Sequence, residues 1–154
     1  MTLRIYLDSS VLNRPFDSQV QVRVRLETEA FLYILEKAEA QSIILCGSSV
    51  LDFEARQNPN PDRRQRVLSY LRLAGEYVEA TPVIKSRSRA LAQLGFKAID
   101  ALHIASAEFH DNAINFFITC DDGILKRAAK QGTVLTVKIV SPLDFVATEE
   151  FNHA

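Results

Sequence analysis

Apolar runs of strand length, each stopping at small polar or acidic residues and each followed by a helical pattern, constrain this chain more than any other feature. The clearest is Ser42-Ile43-Ile44-Leu45-Cys46-Gly47-Ser48. Side chains alternate across a sheet, so a run that is apolar at nearly every position needs cover on both faces, as in a parallel strand. Leu3, Ile5 and Leu7, interleaved with Arg4 and Tyr6, read as a first strand that ends at Asp8-Ser9-Ser10. Residues 115–122 form another buried run ending in two acids, residues 76–80 a weaker strand suited to an edge, and residues 134–140 a last strand.

Helical signals fill the gaps. Residues 22–40 carry apolar groups at helical spacing, among them Leu26, Ala30, Tyr33 and Ile34. Ser49 is placed to cap a short helix over 50–56, and Asp62 to cap one over 63–74 that Gly75 stops. Pro82 opens a helix over 83–94 that Gly95 ends, residues 96–109 form an alanine-rich helix, and residues 123–131 and a short segment after Pro142 complete the set. Alternating strands and helices predict an α/β sandwich around a parallel sheet. At 154 residues, with 47% hydrophobic and 24% charged residues, the expectation is one domain over 1–148 with a loose tail over 149–154.

Bulk charge excludes one class of function. The net charge is −1, so the molecule as a whole is not a basic nucleic-acid binder, although Arg56, Arg63, Arg64, Arg66 and Arg72 crowd one segment. Cys46 and Cys120 sit inside apolar runs and read as buried thiols, Cys120 lacking the adjacent histidine that a nucleophile requires. Met1-Thr2-Leu3-Arg4 runs into the first strand without a signal-peptide pattern, and no apolar run approaches a membrane span. The expected location is the cytoplasm, with no membrane partner.

Four regions then place a carboxylate beside small polar residues: Asp8 after the first strand, Glu54 in the helix after the second, Asp100 in the alanine-rich helix and Asp121 after the fourth strand. In an open α/β sheet, ligands bind beyond the carboxyl ends of the strands, where Asp8 falls. Asp100 lies in Ala98-Ile99-Asp100-Ala101-Leu102-His103-Ile104-Ala105, an otherwise apolar helix where an unpaired charge is costly to bury. Convergent carboxylates cannot all stay ionised unless a cation sits between them. A hard divalent ion with oxygen ligands, Mg²⁺ or Mn²⁺, meets that need and is suited to phosphoryl chemistry. His103, three residues after Asp100, shares its helix face and reads as a packed, hydrogen-bonded histidine.

The order of these pieces resembles the PIN-domain ribonucleases, the family that includes the VapC-like toxins. The resemblance is carried by Leu7-Asp8-Ser9-Ser10, by Ser49-Val50-Leu51-Asp52-Phe53-Glu54, by Asp100 to Ala107 and by Thr119-Cys120-Asp121-Asp122, and spans nearly the whole chain. It implies a three-layer α/β/α sandwich and metal-dependent cleavage of RNA by Asp8, Glu54, Asp100 and Asp121. By the same resemblance Ser9 and Thr119 become supporting polar groups. Read on its own, Arg14 either contacts phosphate or pairs with Glu27 or Glu29. Asp52 competes with Glu54 for the second position, and Asp122 with Asp121 for the fourth. The resemblance further implies an antitoxin partner and a homodimer. Two other classes stay open at this point: a receiver-like phospho-acceptor, and a silent domain that only binds RNA or protein.

Overall fold

A computed structural model describes residues 2–154. Five parallel strands form one sheet: β1 (Leu3–Leu7), β2 (Ile43–Ser48), β3 (Glu76–Val78), β4 (Phe116–Ile118) and β5 (Lys138–Val140), in the order β3-β2-β1-β4-β5. Ile5 pairs with Leu45 on one side and with Phe116 on the other, which places β1 at the centre. Ile5, Tyr6 and Leu7 point alternately to opposite faces, yet none is more than 1% exposed, so both faces are covered. The arrangement is an α/β/α sandwich of the PIN-like kind.

The nine helices among the described residues are α1 (Ser9–Asn13), α2 (Val22–Glu39), α3 (Ser49–Arg56), α4 (Pro61–Leu71), α5 (Pro82–Gln93), α6 (Ala98–Glu108), α7 (Asp122–Lys130), α8 (Pro142–Val146) and α9 (Glu149–Asn152), with a single 3-10 turn at Arg14–Phe16. None is long and apolar enough to cross a membrane. Going from β1, the chain lays down β2 and β3 on one side, then returns to place β4 and β5 on the other. Strand order therefore reverses between β1 and β4, and a crevice opens beyond their carboxyl ends. Asp8 follows β1 and Thr119 to Asp121 follow β4, so both flank this crevice.

Several local expectations shift. Ser48, not Ser49, caps α3, its hydroxyl accepting from the Leu51 N–H at 3.1 Å, while Ser49 accepts from the Ala80 N–H. Asn60, not Asp62, caps α4, because Pro61 occupies the first helical position and moves the start upstream. Gly95 ends α5 with a φ of +108°, a left-handed conformation that glycine adopts without strain. On α2 the core side is Val24, Phe31, Ile34, Leu35 and Ala38, whereas Leu26 and Tyr33 are about half exposed. Apolar groups surround this helix, so spacing alone did not select the buried stripe.

The largest correction concerns the tail. Residues 149–154 are not loose: α9 is capped by Thr148, and Phe151 is fully buried against Phe145 and Tyr33. Lys37 adds an amine 4.5 Å from the Phe151 ring and donates to the Phe151 carbonyl at 2.6 Å. One aromatic in a short polar tail offers little periodicity to read, yet it completes the core beneath α2 and α8.

Candidate active site

Asp8 lies at the carboxyl end of the central strand, only 4% exposed. Its Oδ2 accepts from the hydroxyls of Thr119 at 2.8 Å and Ser10 at 2.9 Å. Ser10 in turn accepts from the Cys120 N–H, and Thr119 from the Asp121 N–H, both at 3.0 Å. Two short hydroxyl residues thus tie the turn after β1 to the turn after β4. Asp121 Oδ1 accepts from the Ile124 N–H at 3.0 Å and caps α7. Its neighbour Asp122 is drawn outward by Arg23, whose two terminal nitrogens meet it at 2.8 and 2.9 Å. Of the two competing acids, only Asp121 faces the crevice charge.

That charge is registered by Asp100, in the first turn of α6. Burial, and then the charges of Asp8 and Asp121, push its carboxyl up to about 6, against a weaker pull from His103 and Lys97. Among the described residues, none of Asp8, Asp100 and Asp121 forms an ion pair with Arg, Lys or His. Three carboxylates, following β1, following β4 and on α6, therefore share one end of the sheet, and among the described residues none is closed into an ion pair.

Glu54 behaves differently. Its Oε1 accepts from the Ser9 hydroxyl and from His103 Nε2, the latter at 2.9 Å. Burial would raise this carboxyl, but the bonds from His103 and Ser9 outweigh it and hold the group below its usual value. Asp52, its rival in the sequence, instead accepts from the Tyr77 hydroxyl at 2.8 Å, away from the acids. His103 is buried, and its Nδ1 meets the Tyr6 hydroxyl at 2.8 Å; Tyr6 meets Ser48 Oγ at 2.7 Å. An ionised Glu54 requires a proton of His103 on Nε2; whenever the imidazole is neutral, Nδ1 then accepts from Tyr6 and Tyr6 accepts from Ser48. All the donors then run one way, towards Glu54.

Tyr6 and Ser48 escape sequence inspection. Tyr6 occupies an interleaved position of an alternating strand, which reads as outward-facing, yet it is fully buried and stacks on Phe117 with centroids 5.3 Å apart. Only the sheet-covering layer that α6 provides explains a buried hydroxyl there. Arg14 is held by Glu27 at 2.6 Å and by Asp17 at 3.2 Å, the pairing with Glu27 that its position in the sequence left open. It still lines, with Ser9, Ser10, Glu54 and Arg63, a cleft of about 430 Å³ beside the acids.

The donor set suits a hard divalent ion: carboxylate oxygens, hydroxyls that orient them, and uncompensated negative charge. Among the described residues, no three acidic, histidine or cysteine side chains are closed to ligand spacing. The strand order brings the acids to one crevice against their mutual repulsion, without locking them around a centre.

Comparison with known proteins identifies the family and the fold. No curated protein matches the sequence. A chain from the crystal structure of VapBC2 from Rickettsia felis, bound to a DNA fragment from their promoter, is similar in fold: TM-score 0.51 at 13% identity, covering 90% of this chain and 98% of that one. The family model for the PIN domain matches residues 5–131, from the central strand through α7. The chain therefore belongs to the PIN-domain family, whose members are generally nucleases.

Proposed function

We propose that this protein is a metal-dependent endoribonuclease that hydrolyses RNA phosphodiester bonds and serves as the toxin of a toxin–antitoxin pair. One observation carries the reading: at the reversal point of a parallel sheet the charges of Asp8 and Asp121 add to burial in raising the proton affinity of Asp100, and among the described residues none of the three forms an ion pair with a protein cation. A nuclease of this family needs such a place for Mg²⁺ or Mn²⁺. Asp8, Asp100 and Asp121 would hold the ion, with Glu54 as the fourth acid. Bound there, it would polarise the scissile phosphate and lower the cost of activating water.

The chain's own groups have separable tasks in this reading. Thr119 and Ser10 fix Asp8 Oδ2 from two sides, so the carboxylate is oriented before any ligand arrives. Ser9 and His103 both occupy Oε1 of Glu54, which leaves Oε2 to orient the attacking water or reach the ion. Depressed proton affinity keeps Glu54 ionised near neutral pH, so Oε2 is available to accept a hydrogen bond from water or to bind a cation. The VapBC2 complex supports extending the proposal to an inhibitory protein partner, and self-association into a homodimer belongs to the same proposal.

Incubating a mixed RNA pool with the protein tests the reading. Cleavage that requires Mg²⁺ or Mn²⁺, stops with a chelator and is absent from the Asp8→Asn variant is the expected result. Equal cleavage by that variant, or none by the wild type, would sink it. Nothing favours the phospho-acceptor alternative: Lys138 pairs with Phe116 at the start of β4, and its amine lies over that ring, at the opposite end of the sheet from the acids.

A further inference from the structure

We propose that the arginine face of α4 is the path along which the backbone of an unpaired RNA strand reaches the acid cluster. The inference rests on the nuclease reading above and says where the substrate is held. Carboxylates that await a cation also repel phosphates, so a polyanion needs a cationic surface close by to be kept at such a site. Residues 56–72 hold five arginines and a single acid, Asp62, in a chain of net charge −1.

Clustered arginines on a helix can be no more than a solvated face; here the structure separates those already engaged from those that are not. Arg63 donates to Asp17 at 2.7 Å and to Asn13 at 2.9 Å, so it braces the loop after α1. Arg56, Arg64, Arg66 and Arg72 form no ion pair among the described residues. Arg64 uses one terminal nitrogen on the Asn58 carbonyl at 2.9 Å, and the other three stand exposed on the surface.

These side chains are contiguous. Arg64, Leu68 and Arg72 recur every four residues and make one stripe, which with Arg66 lines a groove of about 900 Å³ along α4. Leu68 and Arg72 also border a second groove shared with Arg56 and Tyr77. At the opposite end, Asn58 and Arg63 line the cleft that contains Ser9 and Glu54. The eleven residues of α4 extend about 16 Å, room for several successive phosphates. Guanidinium groups bind phosphate in a two-pronged fashion. Tyr77, 46% exposed, borders the second groove with Arg56 and Arg72, where an unpaired base can stack on an aromatic side chain. That aromatic group is what favours a single strand over a duplex.

The test uses the full chain carrying Asp8→Asn, so that a labelled single-stranded RNA of mixed sequence is bound but not cut, with affinity read by fluorescence anisotropy from low to high salt. Adding Arg64→Gln, Arg66→Gln and Arg72→Gln should weaken binding about tenfold or more and flatten the slope of log K against log salt by about 2. Arg66→Gln with Arg72→Gln alone should give about two thirds of that change in slope while leaving the Asn58 contact intact. Arg89→Gln, an exposed arginine on α5, should change neither quantity. Unaltered affinity and slope in the triple variant overturn the proposal, as does an equal loss in Arg89→Gln, and in both cases metal-dependent cleavage by the wild type leaves the nuclease reading standing. Conversely, arginine-dependent RNA binding without any cleavage upholds the surface and removes the nuclease.

Discussion

Two sets of partly or fully buried acids in this molecule are treated in opposite ways. Glu27, Glu76 and Glu108 each receive an arginine: Arg14 at 2.6 Å, Arg4 at 2.7 Å and Arg87 at 2.8 Å. Asp8, Asp100 and Asp121 receive hydroxyls, backbone amides and one another's repulsion. Where an acid serves only the fold, a paired guanidinium offsets the cost of burial. Where the sheet's strand order reverses, the chain supplies oriented neutral donors and leaves the charge uncompensated. Stability alone gives no reason for that arrangement, which is why the proposed function places its cation there.

Substitutions in the two sets should separate most sharply in activity. Asp8→Asn and Asp100→Asn are each expected to lower the rate of RNA cleavage by about a thousandfold, the equivalent of several kcal/mol of lost transition-state stabilisation. Both should melt at or above the wild-type temperature, because each removes one of three mutually repelling charges. A calorimetric scan beside a cleavage time course checks both halves. A variant that loses activity by unfolding would erase the distinction between the two sets.

In the arginine-paired set the order of effects inverts. Glu27→Gln leaves the Arg14 and Arg23 guanidiniums without their buried carboxylate and should cost about 3 kcal/mol in urea unfolding. Cleavage per folded molecule should hold. Between these extremes lies Glu54, whose partner is a histidine. His103→Gln and Tyr6→Phe are predicted to reduce activity by about 10- to 100-fold through loss of orientation at Glu54. The Tyr6 change should cost about 1 kcal/mol of stability.

The smallest effect is a pH dependence. In the folded protein the Asp100 carboxyl titrates at about 6, above the 3.8 of an unperturbed aspartate. The folded state therefore binds the proton more tightly than the unfolded state does. The stability that this proton confers is complete below pH 3.8 and is lost as pH rises through about 6. Without divalent ions, melting temperature should fall across that window, and Asp100→Asn should flatten this part of the profile. Mg²⁺ or Mn²⁺ should raise the melting temperature at pH 7 in the wild type and leave Asp8→Asn nearly unmoved.

Much of the fold is legible in local patterns. Ser42 to Ser48 needs cover on both faces, and β2 is buried along nearly its whole length. Gly95 marks a helix end by its left-handed backbone. Asp8 and Asp121 can be picked out because each follows a strand-like run, and Asp100 because it sits in an apolar helix; Glu54 is distinguished from Asp52 only by its distance from Ser49. Helix caps were less certain, by one residue at 48–49 and by two at 60–62: neighbouring polar residues compete to cap the same helix, and only the chain's entry angle decides between them. The buried face of α2 and the anchoring of Phe151 were illegible for a related reason. Both depend on which surface docks, and apolar residues were available on more than one.

The amino-acid order by itself determined the alternation of strands and helices and the positions at which acids interrupt apolar runs, because both follow from periodicities of two to four residues. What brought Asp8, Asp100 and Asp121 together, turned Glu54 to His103 and sent Asp122 out to Arg23 was decided by the tertiary structure. Those groups are separated by 92, 21, 49 and 99 residues along the chain, taking Asp8 to Asp100, Asp100 to Asp121, Glu54 to His103 and Arg23 to Asp122. Electrostatic coupling depends on distance through space, and that distance exists only once β1 lies between β2 and β4.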